Sequence, residues 1–311
     1  MQNTEPKKIK VSAGILLDHN HNVLLTKRLA SQTWPEYWEF PGGKLETNES
    51  LDQCLKRELL EEINISVIRA SRWITREFNQ DNKILQVTFF LIHQWSGEIQ
   101  NKDVAEHKWI DPKNIEDWPE QILPKNLYIL RALSLPPLYL ITDAYENPEF
   151  YKKIGSSKRK FYIQLREPML EKDELIKLEL DLKKNNRHIL INSRHVHELS
   201  SDFGIHFTES DLFKQTQVNP NKIHSASVHS LESIQYAQKL GINFVVLSQV
   251  YETKSHPLKK GMGWNAFKAI VNQVDIPVYA LGGMGFDDLE QSYNNGGVGI
   301  ASQRKIWNLL N

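Results

Sequence analysis

The chain of 311 residues has a single cysteine, Cys54, and therefore no intramolecular disulfide. It lacks an excess of either charge, with 38 Lys and Arg against 38 Asp and Glu. That balance removes the electrostatic argument for a nucleic-acid polymer or an anionic membrane as partner. It remains compatible with a small nucleotide whose phosphates are met by metal. No run of about twenty apolar residues occurs, so a membrane-spanning helix is not expected. Residues 1 to 10 are polar and carry no apolar stretch, so no signal peptide is expected. Internal repeats and low-complexity segments are absent too. Together with the lone thiol, these absences lead to the expectation of a soluble protein of the reducing cytoplasm. The length suffices for two domains, each with its own core.

What the chain does have begins at Gly43. Residues 43–65 place Glu49, Arg57, Glu58, Glu61 and Glu62 at fixed intervals, with Leu59 and Leu60 between them. Residues 49 to 63 read as a helix, with Leu51, Leu55, Leu59 and Leu60 on one side and charge on the other. Ser50 or Asn48 supplies the N-cap. Glu58, Glu61 and Glu62 stand at i, i+3 and i+4, so their carboxylates share one face within one turn. Carboxylates that close raise one another's pKa, and a divalent cation relieves the repulsion because it takes hard oxygen ligands. Glu49 and Arg57 read as a structural pair. Pro41-Gly42-Gly43 allows the backbone to approach a metal or phosphate closely. The bland alternative is a solvated helix face carrying a glutamate cluster.

This run resembles the Nudix box, G-x5-E-x7-R-E-U-x-E-E-x-G-U with U aliphatic, at all specified positions but one. Asn64 stands in place of the final Gly, and Asn is the usual second choice for a left-handed residue past a helix end. The resemblance extends over about residues 9 to 133. It takes in two strand-like segments, 11–17 and 22–28, joined by a turn at Asp18-His-Asn-His, and the stretch from Trp38 to Glu46. Trp95-Ser-Gly-Glu98, Glu106 to Ile110 and Pro124-Lys-Asn126 follow in the order seen in pyrophosphohydrolases that cleanse oxidised dGTP. The resemblance implies a Nudix α/β/α sandwich over residues 1–134. It implies Mg²⁺, with Mn²⁺ as substitute, held by Glu58, Glu61, Glu62 and the Gly42 carbonyl. Glu106 would complete the metal site or serve as base. Glu58 would orient or deprotonate the attacking water, with Glu61 and Arg57 completing the catalytic set. Substrate contacts would come from Arg28, Phe40, Gly43, Lys44 and Asn126, the last reading a purine edge. From the residues alone, Arg28 reads equally as a surface strand residue and Asn126 as a helix N-cap. Trp34, Trp38, Trp109 and Trp118 read as packing residues, any one of which could stack on a base.

Ser134 to Leu140 contains two adjacent prolines, which stop the preceding helix and mark a boundary. Beyond it, short apolar runs at 138–142, 161–165, 188–192, 203–207, 223–228, 243–248, 276–281 and 297–301 alternate with helical segments. The helices are expected at 171–184, 231–240, 264–274 and 286–294. Strands alternating with helices predict a parallel sheet, here a shortened (β/α)₈ barrel of the TIM type over residues 135–311. The stretches 193–202 and 208–222 are where outer helices reduce to loops.

The order of motifs in this half resembles the thiamine phosphate synthase and thiazole tautomerase superfamily. The matching pieces are 138–143, Gln164 to Glu167, Ile189 to Arg194, Gly204 to Phe207, Ser227 to Ser230, 249–254, Tyr279 to Met284 and Gly297 to Ser302. The resemblance implies a phosphate site at the glycine turns Gly282-Gly283 and Gly297–Gly299, with Arg166 and Asn192 as further ligand contacts. The same glycines also suit tight turns and close strand packing. Three departures stand against the family's chemistry. Ser193 replaces an Asp used for Mg²⁺, Pro168 replaces a Lys that grips pyrophosphate, and Gln249 occupies the place of a tautomerase His. Asp211 would be a surviving metal ligand, though one carboxylate makes a poor Mg²⁺ site. Gln cannot shuttle a proton near neutral pH. His188, His195, His197, His206, His224 and His229 have no Cys or carboxylate at a spacing that makes a metal centre.

The leading expectation is an Mg²⁺-dependent nucleoside triphosphate pyrophosphohydrolase. It would convert 8-oxo-dGTP to 8-oxo-dGMP and diphosphate and so keep a mutagenic precursor out of DNA replication. The barrel, without synthase activity, would bind a thiamine-precursor phosphate. The alternative is a hydrolase of thiamine-related diphosphates with the barrel as a binding or regulatory module.

Overall fold

The computed structural model describes residues 6–80, 83–142, 160–184, 188–199, 202–252 and 260–306. Asp143, Thr253 and Lys254, which end two of the motifs above, lie outside the described residues. The chain divides into two units, Met1–Ser134 and Leu135–Asn311.

In the first unit, β1 (Lys7–Leu16) runs antiparallel to β4 (Gly42–Lys44) and parallel to β6 (Lys83–Ser96). With β5 (Ser66–Gln80) outside β6, the sheet order is β4-β1-β6-β5. A second, antiparallel sheet has the order β3-β2-β7, from Trp38–Glu39, Val23–Lys27 and Glu106–Ile110. The turn before β2 is held by Asp18, whose carboxylate accepts the N–H groups of Asn20 and Asn22 at 2.8 Å. Helix α1 (Leu51–Ile63) starts at Ser50, which forms a capping box with Gln53, and ends at Asn64 in the left-handed region, φ 62°. Its buried face is Leu55, Leu59 and Ile63, which pack with Leu16, Leu24, Ile65, Phe90 and Ile92. Leu60, expected on that face, is 46% exposed. It sits one residue off the i, i+4, i+8 stripe and so turns about 100° away from the core. Helix α2 (Pro124–Leu133) begins with proline at its first position, where no N–H is needed.

In the second unit, eight parallel strands close into a barrel in the order β10-β11-β12-β13-β14-β15-β8-β9. They are β8 (Leu138–Ile141), β9 (Phe161–Leu165), β10 (His188–Asn192), β11 (Gly204–Phe207), β12 (Ser225–Val228), β13 (Phe244–Ser248), β14 (Val278–Leu281) and β15 (Gly299–Ser302). All eight expected strands are present, as are helices at Lys172–Lys184, Leu231–Leu240, Gly263–Val271 and Asp288–Asn294. The two thin stretches hold only a 3₁₀ turn, Ser193–His195, and a four-residue helix, Glu209–Leu212. Aromatic rings cluster inside the barrel. Tyr139 lies 5.2 Å from Phe244 and 5.8 Å from Tyr279, centroid to centroid.

Candidate functional sites

The α1 carboxylates gather where β4 meets the helix. Gly43 brings the backbone so near Glu58 that a Cβ there would stand 2.3 Å from its carboxylate. Gly42, at φ 143°, lets its N–H reach Glu62 Oε2 at 2.8 Å, and a Cβ would collide with the Ser12 carbonyl at 2.1 Å. Burial raises the Glu62 carboxyl well above the usual range, although the Gly42 N–H opposes it. Burial raises Glu58 too, against the pull of Arg57. Arg57 acts as the local cation. Its Nε donates to Glu49 Oε1 at 2.9 Å, and its Nη1 donates to Glu58 at 2.9 Å and Glu61 at 3.1 Å. The expected Glu49–Arg57 pair is therefore present, and it depresses the Glu49 pKa. Among the described residues, no three acidic, His or Cys side chains already stand as one coordination sphere. Glu62 is turned to the Gly42 amide while Glu58 and Glu61 face the guanidinium. The donor set itself is all hard oxygen, which suits a small divalent cation.

A second cluster lies beside it. Arg28 donates from Nη1 to Glu39 and from Nε to the Thr33 carbonyl at 2.7 Å. Burial raises the Glu39 carboxyl, offset by Arg28, and burial lowers the Lys125 ammonium. The electrostatic coupling of Glu39 to both Glu62 and Lys125 links this cluster to α1 and to the start of α2. Asn126 occupies the third position of α2, not its cap, and is 7% exposed. Its side-chain amide makes no hydrogen bond among the described residues and is not one of the enclosed unpaired polar groups, so its donor and acceptor stay accessible. Glu106 is exposed at the start of β7, opposite Lys27 in the ladder. Lys44 is exposed, and its carbonyl accepts from Arg57 Nη2 at 3.2 Å. Phe40 is buried edge-to-face on Phe89 at 5.8 Å, a packing position. Of the tryptophans, Trp38 is buried while Trp34 is 52% exposed at φ 59°, on the loop between Arg28 and Glu39.

Sequence reasoning missed Glu39, Lys125 and the fully buried Arg76, whose guanidinium lies 3.9 Å over the Tyr128 ring. Glu39 and Lys125 sit one residue from positions the motifs did single out. Arg76 carries no signal, since an arginine in a strand ordinarily reads as a solvated residue.

In the barrel, a cavity of about 1330 Å³ opens at the C-terminal ends of the strands. Arg166, Asn192, Gly282 and Gly283 line it. Gly297 and Gly299 do not. Gly297 precedes β15 and Gly299 opens it, at the opposite end of the strand, where added Cβ atoms would strike Ser292 Oγ at 2.3 Å and the Pro137 carbonyl at 2.1 Å. These two glycines serve close packing, and Ser302 to Lys305 line the cavity instead. The rule that barrel sites lie beyond strand C-termini would have pointed there.

Below the cavity, His206 is fully buried and bridges Tyr139, Ser225 and Ser227. Nδ1 lies 2.7 Å from Ser225 Oγ, and Nε2 lies 2.8 Å from Ser227 Oγ. Burial, aided by the Arg166 charge, lowers its pKa to about 3 and keeps the ring neutral. Asp211 is tied on both oxygens. Ser193 Oγ and Thr208 Oγ1 donate to Oδ2 at 2.7 and 2.8 Å, and Lys214 Nζ donates to Oδ1 at 2.8 Å. With Lys214 contributing most, these bonds lower the Asp211 pKa to about 2. His195 bonds Glu198 through Nδ1 at 3.0 Å.

Comparison with known proteins assigns each half. The NUDIX domain profile matches residues 8–133, and the profile described as thiamine monophosphate synthase matches residues 138–306. An 8-oxo-dGTP diphosphatase of Haemophilus influenzae is 33% identical over 129 residues, covering 42% of this chain and 93% of that protein. That of Escherichia coli is 30% identical over 115 residues, covering 36% of this chain and 89% of its own length. A putative thiamine-phosphate synthase 2 of Aquifex aeolicus is 38% identical over 179 residues, covering 54% of this chain and 96% of that protein.

Proposed function

Since the chain belongs to the Nudix family in its first half and to the thiamine monophosphate synthase family in its second, we propose that it hydrolyses 8-oxo-dGTP to 8-oxo-dGMP and diphosphate. Water oxygen forms the new bond to phosphorus, one P–O bond of the triphosphate bridge breaks, and diphosphate leaves. A Nudix hydrolase domain whose curated relatives are 8-oxo-dGTP diphosphatases supports that substrate. The observation that carries it further is Asn126, a residue only 7% exposed whose side-chain amide makes no hydrogen bond among the described residues and stays accessible to a ligand.

Glu58, Glu61, Glu62 and the Gly42 carbonyl would hold Mg²⁺, with Glu106 completing the site. The ion supplies charge neutralisation on the leaving phosphates and acidifies water. Glu58, its carboxyl raised by burial, is suited to take the proton of the attacking water. Arg57 holds Glu58 in place from the side. Arg28, fixed by Glu39, would meet phosphate. Asn126 would read the purine edge. The barrel would bind a phosphorylated thiamine precursor and act as an accessory to the hydrolase. The replacement of the family's metal Asp and pyrophosphate Lys by Ser193 and Pro168 speaks against synthase turnover there.

The test is turnover of the intact protein with Mg²⁺ against 8-oxo-dGTP, dGTP, CTP, ADP-ribose and thiamine diphosphate, with Glu61→Gln as control. Strong preference for 8-oxo-dGTP, lost in the control, is the expected result. Preference for thiamine diphosphate would instead join the two halves in one pathway.

A further inference from the structure

Granting the barrel the phosphorylated ligand proposed above, we infer that its cavity takes a single phosphate group without any divalent cation. In this superfamily the resemblance implies a metal at the ends of β10 and β11, and the residues standing there do not fit one. Ser193 offers a hydroxyl where a carboxylate is implied, and that hydroxyl is committed in both directions. It donates to Asp211 Oδ2 at 2.7 Å and accepts the Thr208 N–H at 3.1 Å. Asp211 has an ammonium on one oxygen and two hydroxyl donors on the other. A cation entering here would have to displace Lys214, which already neutralises the carboxylate. Neither Ser193, Asp211 nor Lys214 lines the cavity. Glu167, Glu209 and Glu252 do line it, and Glu209 is engaged by the His229 N–H at 2.9 Å and ring Nδ1 at 3.0 Å.

The cavity wall supplies positive charge by other means. Arg166, Arg194, Lys260, Arg304 and Lys305 all line it. Lys305 Nζ donates to the Gly283 carbonyl at 2.6 Å, which fixes a cation at the Gly282-Gly283 turn. A phosphomonoester carries about −1.5 to −2 charges near pH 7, within reach of guanidinium and ammonium donors alone. A diphosphate adds charge that the missing metal and the missing lysine at Pro168 leave unmatched. Met169, Met262 and Met284 offer the organic part of the ligand an adaptable apolar surface. The ligand class is thus a phosphomonoester with an apolar body, bound with equal strength in the presence or absence of Mg²⁺.

The test is amide hydrogen exchange of the intact chain, read at segments 281–285 and 204–214, so that Mg²⁺ bound at the α1 glutamates does not enter the signal. Inorganic phosphate and inorganic pyrophosphate are titrated separately, in EDTA and in Mg²⁺. The expected result is protection of 281–285 by phosphate with midpoints that agree within about twofold between the two conditions, and pyrophosphate no tighter than phosphate. The double variant Ser193→Asp with Lys214→Ala, which adds one carboxylate and frees Asp211 beside it at the rim of the cavity next to Asn192, Arg194, Thr208 and Glu209, is expected to gain about tenfold in pyrophosphate affinity on adding Mg²⁺. Lys214→Gln alone, expected to give a smaller gain, serves if the double variant fails to fold. Tightening of pyrophosphate by Mg²⁺ in the wild-type chain by about tenfold or more would overturn the metal-free site while leaving phosphate binding intact. Protection by neither anion under either condition would overturn phosphate binding by the barrel and the inference with it.

Discussion

At the scale of the residue, the α1 carboxylates set the sharpest predictions. Burial raises Glu58 and Glu62 in the folded chain, so the native state holds their protons more tightly than the unfolded state does. In EDTA, the contribution of these two carboxyls to stability is therefore highest at the acid end of the carboxylate range and falls as pH rises from there toward neutrality. Thermal melts in EDTA as a function of pH check this, and Glu62→Gln should flatten the fall while abolishing cation binding. Metal binding should release protons, so affinity for Mg²⁺ should rise with pH over the same window. Glu58→Gln should lower kcat by about 10²- to 10⁴-fold, the usual effect of losing a general base. Asn126→Ala should raise KM for 8-oxo-dGTP about tenfold, the value of one or two hydrogen bonds, with kcat little changed. How much of this the sequence discloses depends on what fixes each side chain. The Glu58, Glu61 and Glu62 face follows from helical spacing alone and was legible. The Glu39–Arg28 pair and the stacking of Arg76 on Tyr128 depend on which distant segments cover them, and no local pattern encodes that.

At the scale of the element, α1 is a self-contained signal. Its capping box, its left-handed Asn64 and its Leu55-Leu59-Ile63 stripe are all written within seventeen consecutive residues, 48–64. Ser50→Ala should cost about 1 kcal/mol, measured by urea unfolding. Asn64→Gly should be nearly neutral, because glycine adopts the same conformation without strain, whereas Asn64→Ala should cost about 1 kcal/mol. The barrel strands were equally legible from apolar runs and their alternation with helices. Which glycines face a ligand and which serve packing was not, and Gly297 and Gly299 show why. A glycine pair looks the same in sequence whether it cradles a ligand or lets a neighbouring carbonyl approach, as Pro137 does here. Inside the barrel, His206 is held neutral, with a folded pKa of about 3 against an ordinary value of 6.5. The unfolded chain binds that proton first, so barrel stability is full above pH 6.5 and is lost as pH falls toward 3, by at most about 1.4 kcal/mol per pH unit. Melts of the His206→Gln variant over the same range should show a shallower acid loss.

At the scale of the whole molecule, each unit carries a core of its own, so residues 1–134 produced alone should hydrolyse 8-oxo-dGTP with kcat/KM within about threefold of the intact chain. A steady-state comparison of the two proteins checks this, and a larger loss would show that the barrel takes part in turnover. The two units also differ in how their pairings are distributed along the chain. The partners of β1 in the first unit are complete once Ser96 exists. In the second, the seam of the barrel is made by β8 against β15, Leu138 beside Ile300 and Leu140 beside Ser302, with the Pro137 carbonyl accepting from Ile300 N. As the ribosome delivers the chain, the first unit can finish while the second is still unmade, and the first barrel strand must wait with an open edge until the last one emerges. A chain stalled before Gly299 would thus present a finished hydrolase tethered to an unsealed, aggregation-prone sheet. Speed of translation through the second half then becomes a determinant of yield.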